Sequence, residues 1–319
     1  MSTNVERYRL LCAQEDSIPL FSQSWWLDAV AGESWDVVLL ENDGVIVATL
    51  PYVARSRLGL RLIGQPILTP NLGPWLKSSE ARTARRLGQE KNLLQSLYRQ
   101  LPSFAQYSQN WYCERSNWLP LYWLGYEQST RYTYRIEQLD DLAAIWNGFD
   151  SNIRTDIRKA ESKFGVKVRT DCSIEDFLAL NKKVFDRQSM AVPYTNETVT
   201  AIYAAASAQK ACRVFMAEDE QGRQHAAVFI IWDSNSAYYL LGGGDPDLRN
   251  SGATSLCMWH AIQFAATVTK KFDFEGSMIE PVERFFRGFG ATQAPYSVIT
   301  KTNSRLIRTL QFLRTIRAG

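Results

Sequence analysis

The sequence predicts a mixed α/β protein, with a mixed sheet in each of two consecutive domains that share one order of elements. Three observations carry this reading. Residues 166–301 follow the order strand, helix, helix, three strands, helix, strand, helix, strand. Residues 22–137 give a shorter version, three strands, helix, strand, helix, strand, without obvious sequence identity. A length of 319 residues is enough for two domains with a core each. The expected division is 1–137 and 138–319, with Gln138–Asp150 as a partly helical linker opening the second domain.

The second half has the clearer pattern. Val166–Thr170 alternates apolar and polar residues, as a half-buried strand does. Ser173–Gln188 places Phe177, Leu180, Val184 and Phe185 on one helical face, with Ser173 as N-cap and Asp176 three residues later. Asn196–Gln209 reads as another helix. Three strands follow, Cys212–Glu218, Gln224–Trp232 and Ala237–Gly242, separated by polar turns at 218–223 and 233–236. Ser251–Val268 is a long helix, apolar on most sides, with a narrow polar stripe at His260, Gln263 and Thr267. Phe272–Glu275 is a short strand. Pro281–Gly288 is a helix with Pro early and Gly at its end. Tyr296–Lys301 is a strand and Arg305–Arg317 a closing helix.

In the first half, Ser22–Ala31 is a helix. Trp35–Glu41 and Val45–Arg55 are strands around Asn42-Asp-Gly44, a strong hairpin signal. Leu60–Gln65 is a third strand. Glu80–Leu101 is a helix with Ala84, Leu87, Leu94 and Leu97 on one face. Ser103–Ser108 is a strand, Asn117–Leu124 a short helix and Arg131–Glu137 a strand.

Composition narrows the function. Hydrophobic content of 45% and charged content of 22% are those of a globular protein. A net charge of +3 is too small to argue for stable DNA binding, though it allows transient contact with tRNA or a phosphorylated substrate. Cys12, Cys113, Cys172, Cys212 and Cys257 are far apart and form no CxxC pair, so neither a disulfide framework nor a zinc site is expected. With His225 and His260 the only histidines, a His-rich metal site is excluded. The N-terminus lacks the long apolar run of a signal peptide, and no stretch approaches a membrane span. The expectation is a reduced, cytoplasmic protein.

The order of elements over 166–301 resembles the GNAT acyltransferase topology, and its duplication resembles the Fem-type aminoacyl- and acyltransferases, which have tandem GNAT-like domains. Local sequences point the same way. Asn152–Glu161, followed by Gly165-Val166, resembles the Arg-rich helix leading into the second domain of that family. Phe272-Asp-Phe-Glu-Gly276 resembles its DFxG strand end, and Arg284–Gly290 its FKxxFG helix end. Ala48–Trp75, with Leu50-Pro51 and Leu72-Gly73-Pro74, resembles the first-domain hairpin and following loop. The resemblance implies transfer of an acyl group, from aminoacyl-tRNA or acyl-CoA, to an amine of an envelope precursor or natural-product intermediate. It implies no tightly bound cofactor. Relatives usually carry Lys where this chain has Phe286, and in Fem enzymes a cation there is thought to stabilise the reacting carbonyl. The tRNA-binding helical arm of some Fem proteins has no counterpart here.

Acyl transfer to an amine needs a proton acceptor, donors for the oxyanion and a hold on the leaving group. The GNAT resemblance puts these at a splay between the strand ends Leu240–Asp245 and Phe272–Gly276. Glu275 or Asp245 is the candidate base; either residue type equally serves as a partner for a neighbouring Arg. Gly242, Gly243 and Gly244 would let backbone approach a ligand, or simply form a bulge ending a strand. Arg249, Gly252, Ala253 and Thr254 approximate a phosphate loop before the long helix, with Thr254 where a Gly or Ala completes the pattern. Arg284, Arg287, Arg154 and Arg158 are candidates for phosphate or carboxylate, with Arg287 the nearest stand-in for the missing family Lys; Lys159 suits a solvated face. His260 and His225 are expected to be structural. A non-catalytic protein that recognises a phosphorylated or nucleotide-linked ligand is the competing class. The acceptor would be a small molecule or carried on a lipid or nucleotide.

Overall fold

A computed structural model of the protein describes residues 2–187, 192–276 and 278–318. In chain order the elements are α1 (Asn4–Cys12), α2 (Ser24–Ala31), β1 (Trp35–Asn42), β2 (Val45–Arg57), β3 (Leu60–Gly64), β4 (Trp75–Leu76), α3 (Thr83–Arg99), β5 (Gln106–Asn110), α4 (Leu119–Tyr122) and β6 (Glu127–Ile136). Then come α5 (Leu142–Gly148), α6 (Ser151–Ser162), β7 (Lys167–Arg169), α7 (Ile174–Arg187), α8 (Asn196–Ala208), β8 (Cys212–Glu218), β9 (Gln224–Trp232) and β10 (Ser236–Gly244). The last are α9 (Ala253–Ala265), β11 (Lys271–Asp273), α10 (Glu280–Arg287), β12 (Thr292–Thr302) and α11 (Arg305–Ala318).

Two compact units form, residues 1–131 with 295–319 and residues 132–294. This corrects the single cut expected after Glu137. The reason is strand pairing. In the first unit β12 pairs antiparallel with β5, from Val298↔Asn110 to Thr302↔Gln106. In the second, the end of β6 pairs with β11 at Phe272↔Ile136 and Asp273↔Arg135. Each sheet is thus completed by a strand distant in sequence, a pairing that local pattern does not encode.

The first unit has the strand order β1-β2-β3-β5-β12. The expected hairpin closes at Asn42↔Val45. β3 and β5 are parallel, with Leu62↔Gln106 and Ile63↔Tyr107, and α3 makes the crossover. Its Leu94, Leu97 and Tyr98 enter a core with Leu50, Tyr107 and Trp111. A buried polar chain runs through this core: Trp111 Nε1 donates to Tyr98 Oη (3.1 Å), Tyr98 donates in turn to Tyr107 Oη (2.9 Å), and Tyr107 donates to Gln109 Oε1 (2.6 Å). Beyond the last β3–β5 pair the gap is filled. Asn110 N–H donates to Gln65 Oε1 (2.7 Å), and Leu72 N–H to Asn110 O (2.7 Å). α1 was not expected, although its signal is present: Thr3 and Glu6 form a reciprocal capping box.

The second unit has the order β6-β11-β10-β9-β8-β7. β7, β8, β9 and β10 are antiparallel neighbours. β10 and β11 are parallel, joined by α9. The mid-section of β9, His225 to Ile231, is buried throughout, as a strand covered on both faces must be. α9 is covered on most sides, as its apolar sequence requires, and Leu256, Cys257, Met258, Ala261 and Ile262 are buried. α6 contributes Ile153, Ile157 and Ala160 to the same core, and α10 contributes Phe286. The expected end of α7 at Gln188 lies outside the described residues.

Candidate active site

β10 and β11 pair only at Ser236↔Lys271, Ala237↔Phe272 and Tyr238↔Asp273. β10 continues to Gly244 on its pairing with β9 alone, so the two strands part after Tyr238. The expected glycine run is therefore strand, and the irregularity in the ladder falls earlier, between Tyr239 and Leu241. Asp245 N–H donates to His225 O (2.8 Å). Strand alternation then directs the N–H groups of Gly243 and Leu241 toward β9 and those of Gly242 and Gly244 toward the open edge. Tyr239 Oη occupies the space beside Gly242, 2.5 Å from where a Cβ would stand. A Gly242→Ala substitution is expected to displace that hydroxyl.

Glu275 lies just past β11, at the mouth of the splay. Its φ is +60°, and that of Gly276 is +56°. Gly276 is pressed against the Tyr132 carbonyl and Thr133 Cα of β6, where a Cβ would collide with backbone. Glu275 N–H donates to Asp273 Oδ1 (2.8 Å). Its Oε1 is closed to solvent and has no hydrogen-bond partner. Burial, and then the charge of Asp273, push the carboxyl well above the usual carboxylate range, with Arg135 opposing. Such a carboxyl is a strong proton acceptor once ionised.

Asp245, the other candidate base, is held differently. Its Oδ2 accepts from Lys183 Nζ at 2.8 Å and its Oδ1 from Asp247 N–H at 2.9 Å. The Lys183 hydrogen bond comes first in holding the carboxyl below its ordinary value. A paired, acidified carboxylate is a weak base. A depressed folded-state pKa stabilises the fold above the unfolded value and loses that contribution as pH falls through the folded one. Asp245→Asn is thus expected to cost about 0.5–1 kcal/mol at neutral pH, given the exposure of Lys183. In urea melts the difference should shrink as pH falls below the unfolded value, about 3.9, and vanish only below the depressed folded one.

At the N-terminus of α9, a 3-10 turn spans Arg249–Ser251, and Gly252 has φ +81°. The helix expected from Ser251 thus starts at Ala253. A Cβ on Gly252 would collide with the Asp156 carbonyl of α6. Gly252→Ala is expected to cost at least about 2 kcal/mol, from left-handed backbone and collision together, read as a lower urea midpoint. Ser251 Oγ accepts from Ala253 N–H at 3.3 Å. Thr254 Oγ1 lies 3.0 Å from where a Gly244 Cβ would stand, so the strand end and the helix start adjoin. Arg249 is exposed beside them.

The remaining cations divide. Arg154 Nη1 donates to Asn147 O (2.9 Å), closing α5, and Arg158 stacks over Trp146 at 5.6 Å. Lys159 pairs with Asp156 (2.9 Å). On α10, Arg287 pairs with Glu283 (3.0 Å), while Arg284 is exposed. Phe286 points inward, its ring 5.4 Å from Phe274 and 5.7 Å from Tyr239. His225 is buried with Nε2 2.9 Å from Asp219 Oδ2, in the β8–β9 turn. His260 is half-buried, its pKa lowered chiefly by that burial. Sequence reasoning missed Asp273, Arg135 and Thr133. The first stands in the Phe272-Asp-Phe-Glu275 run, where alternating acids at an apolar strand end were the available signal.

Among the described residues no group of His, Cys, Asp and Glu is arranged to hold a metal ion, and no helix is long and apolar enough to cross a membrane.

A sheet that splays between two parallel strands, beside a helix N-terminus, defines the class: residues 148–280 match the acetyltransferase (GNAT) domain family. That stretch holds both arms of the splay, α9 and Glu275. No curated protein sequence matches the chain. Among solved structures it is similar to FemX, at 10% identity over 93% of this chain and 96% of that one, with a TM-score of 0.67. It is also similar to L-PGS from Bacillus licheniformis, at 11% identity over 98% and 96%, with a TM-score of 0.58. A tandem GNAT protein from the clavulanic acid biosynthesis pathway matches at 8% identity over 94% and 95%, with a TM-score of 0.54. The chain thus shares the fold of FemX and of that tandem GNAT protein, and the match to the GNAT domain falls within its second unit.

Proposed function

We propose that the second unit transfers an acyl or aminoacyl group directly onto an amine, with Glu275 as general base. The observation that carries this is the Glu275 carboxyl, held on a left-handed turn at the mouth of the splay with a buried, unpartnered oxygen and a raised pKa. The amine nitrogen attacks the donor carbonyl carbon, and ionised Glu275 takes the nitrogen's proton. The oxyanion accepts from backbone N–H groups on the open edge at Gly242 and Gly244. Collapse breaks the bond to the leaving thiol or hydroxyl, which receives the proton from Glu275, directly or through water. No covalent enzyme intermediate is required.

The helix start at Arg249–Thr254 and the exposed Arg284 would hold phosphate of donor or acceptor. The donor is aminoacyl-tRNA or acyl-CoA. The tandem architecture of the Fem-type resemblance supports the first; the near-match phosphate loop at Arg249–Thr254 and Phe286 in place of the family Lys support the second. An envelope precursor as acceptor follows from the Fem-type resemblance, with the protein acting in the cytoplasm.

Thermal-shift screening against CoA, acetyl-CoA, a cell-wall nucleotide precursor and charged tRNA, followed by turnover with primary amines, tests the proposal. The expected result is a shift with one donor class and amine-dependent loss of its acyl group. Binding without turnover across the panel would make this a recognition protein instead.

A further inference from the structure

The backbone at Glu275 is unusual, since two consecutive left-handed residues follow shortly after β11. Something must hold that turn. Gly276 already abuts Tyr132 and Thr133, which prevents the turn from moving toward β6. On the other side the Glu275 N–H is taken by Asp273 Oδ1 at 2.8 Å. The same Oδ1 accepts from the Thr133 hydroxyl. Asp273 Oδ2 lies 3.7 Å from Arg135 Nε, which is also 3.4 Å from Glu137 Oε1. Glu137 in turn pairs with Lys271 (2.9 Å). Asp273 and Arg135 are themselves buried. One carboxylate therefore binds the base's backbone, a β6 hydroxyl and a β6 guanidinium.

We propose that Asp273 is a positioning residue for Glu275, fixing its left-handed turn by accepting its backbone N–H while Thr133 and Arg135 of β6 hold the carboxylate in place. The inference rests on the reading of Glu275 as base. An aspartate suits this role because one oxygen accepts two hydrogen bonds while the other faces a cation. The charges acting on the Glu275 carboxyl come from both strands: Asp273 on β11 raises its pKa and Arg135 on β6 lowers it.

Amide hydrogen exchange of the full chain, read residue by residue by NMR, tests the geometry without any substrate. Asp273→Ala is expected to speed exchange at Glu275 about tenfold or more, with Phe272 unchanged. Asp273→Asn keeps an acceptor oxygen and is expected to keep the protection. If Asp273→Ala does not fold, Thr133→Val serves, with a smaller rise at Glu275. The second readout is the Glu275 carboxyl carbon followed through a pH titration. Asp273→Asn should lower its midpoint and Arg135→Met raise it, opposite shifts that loss of structure would not produce. Unchanged protection at Glu275 together with an unmoved midpoint would overturn the proposal. If Glu275→Gln retains full turnover while exchange and titration behave as stated, only the base reading falls.

Discussion

Glu275→Gln is expected to reduce acyl transfer by about 10²–10⁴-fold, the range general-base catalysis contributes, with the fold intact. The amide is isosteric and cannot accept a proton at the pH of the assay. The same substitution carries a stability signature with a definite sign. The folded-state pKa of Glu275 lies above the unfolded value, so the native chain binds its proton more tightly. Native stability is then lost as pH rises from the unfolded value, about 4.3, through the folded one. The Gln variant does not titrate. Its melting temperature should equal that of the parent near pH 4 and exceed it increasingly toward alkaline pH. Calorimetry across that range checks it, and a variant destabilised at alkaline pH would mean the carboxylate is held by partners rather than left buried.

Phe286→Lys, which restores the residue usual in Fem-type relatives, is expected to destabilise by about 3–5 kcal/mol, as loss of a buried Phe does, and to leave transfer unimproved. Residues Arg284 and Arg287 face solvent while Phe286 is 4% exposed, because successive helical residues are turned by a large angle. An ammonium there would lie among the rings of Phe274, Tyr239 and Phe285, where burying a charge is costly. Urea denaturation measures the loss. A stable, more active Phe286→Lys would show that the cation acts from this position after all.

Much of the fold was legible in local pattern. Asn42-Asp-Gly44 gave its hairpin, Pro281 and Gly288 bracketed α10, and the apolar run of β9 read as strand. The repeat of three antiparallel strands, a helix and a parallel strand is present in both units. Non-local features were not legible. The extension of β10 through Gly242–Gly244 depends on pairing with β9, because glycine alone disfavours a strand. The exchange of β6 and β12 between sequence halves depends on registers set far apart in the chain. For the site, the strand ends and the residue types standing there were readable, with Glu275 and Asp245 as equal candidates. What separates Glu275 from Asp245 is a lysine on α7 that pairs with only one of them. The hold on Glu275 by Asp273, Thr133 and Arg135 arises only where β11 meets β6.

The pH dependence of kcat/KM for amine-dependent transfer, with the donor identified by thermal shift, tests the central claim most directly. The parent protein should show an acidic limb whose midpoint lies well above the ordinary carboxylate range, and Glu275→Gln should lose both the limb and the rate. A Glu275→Gln profile that keeps the parent's limb and rate would place the base elsewhere and contradict the account.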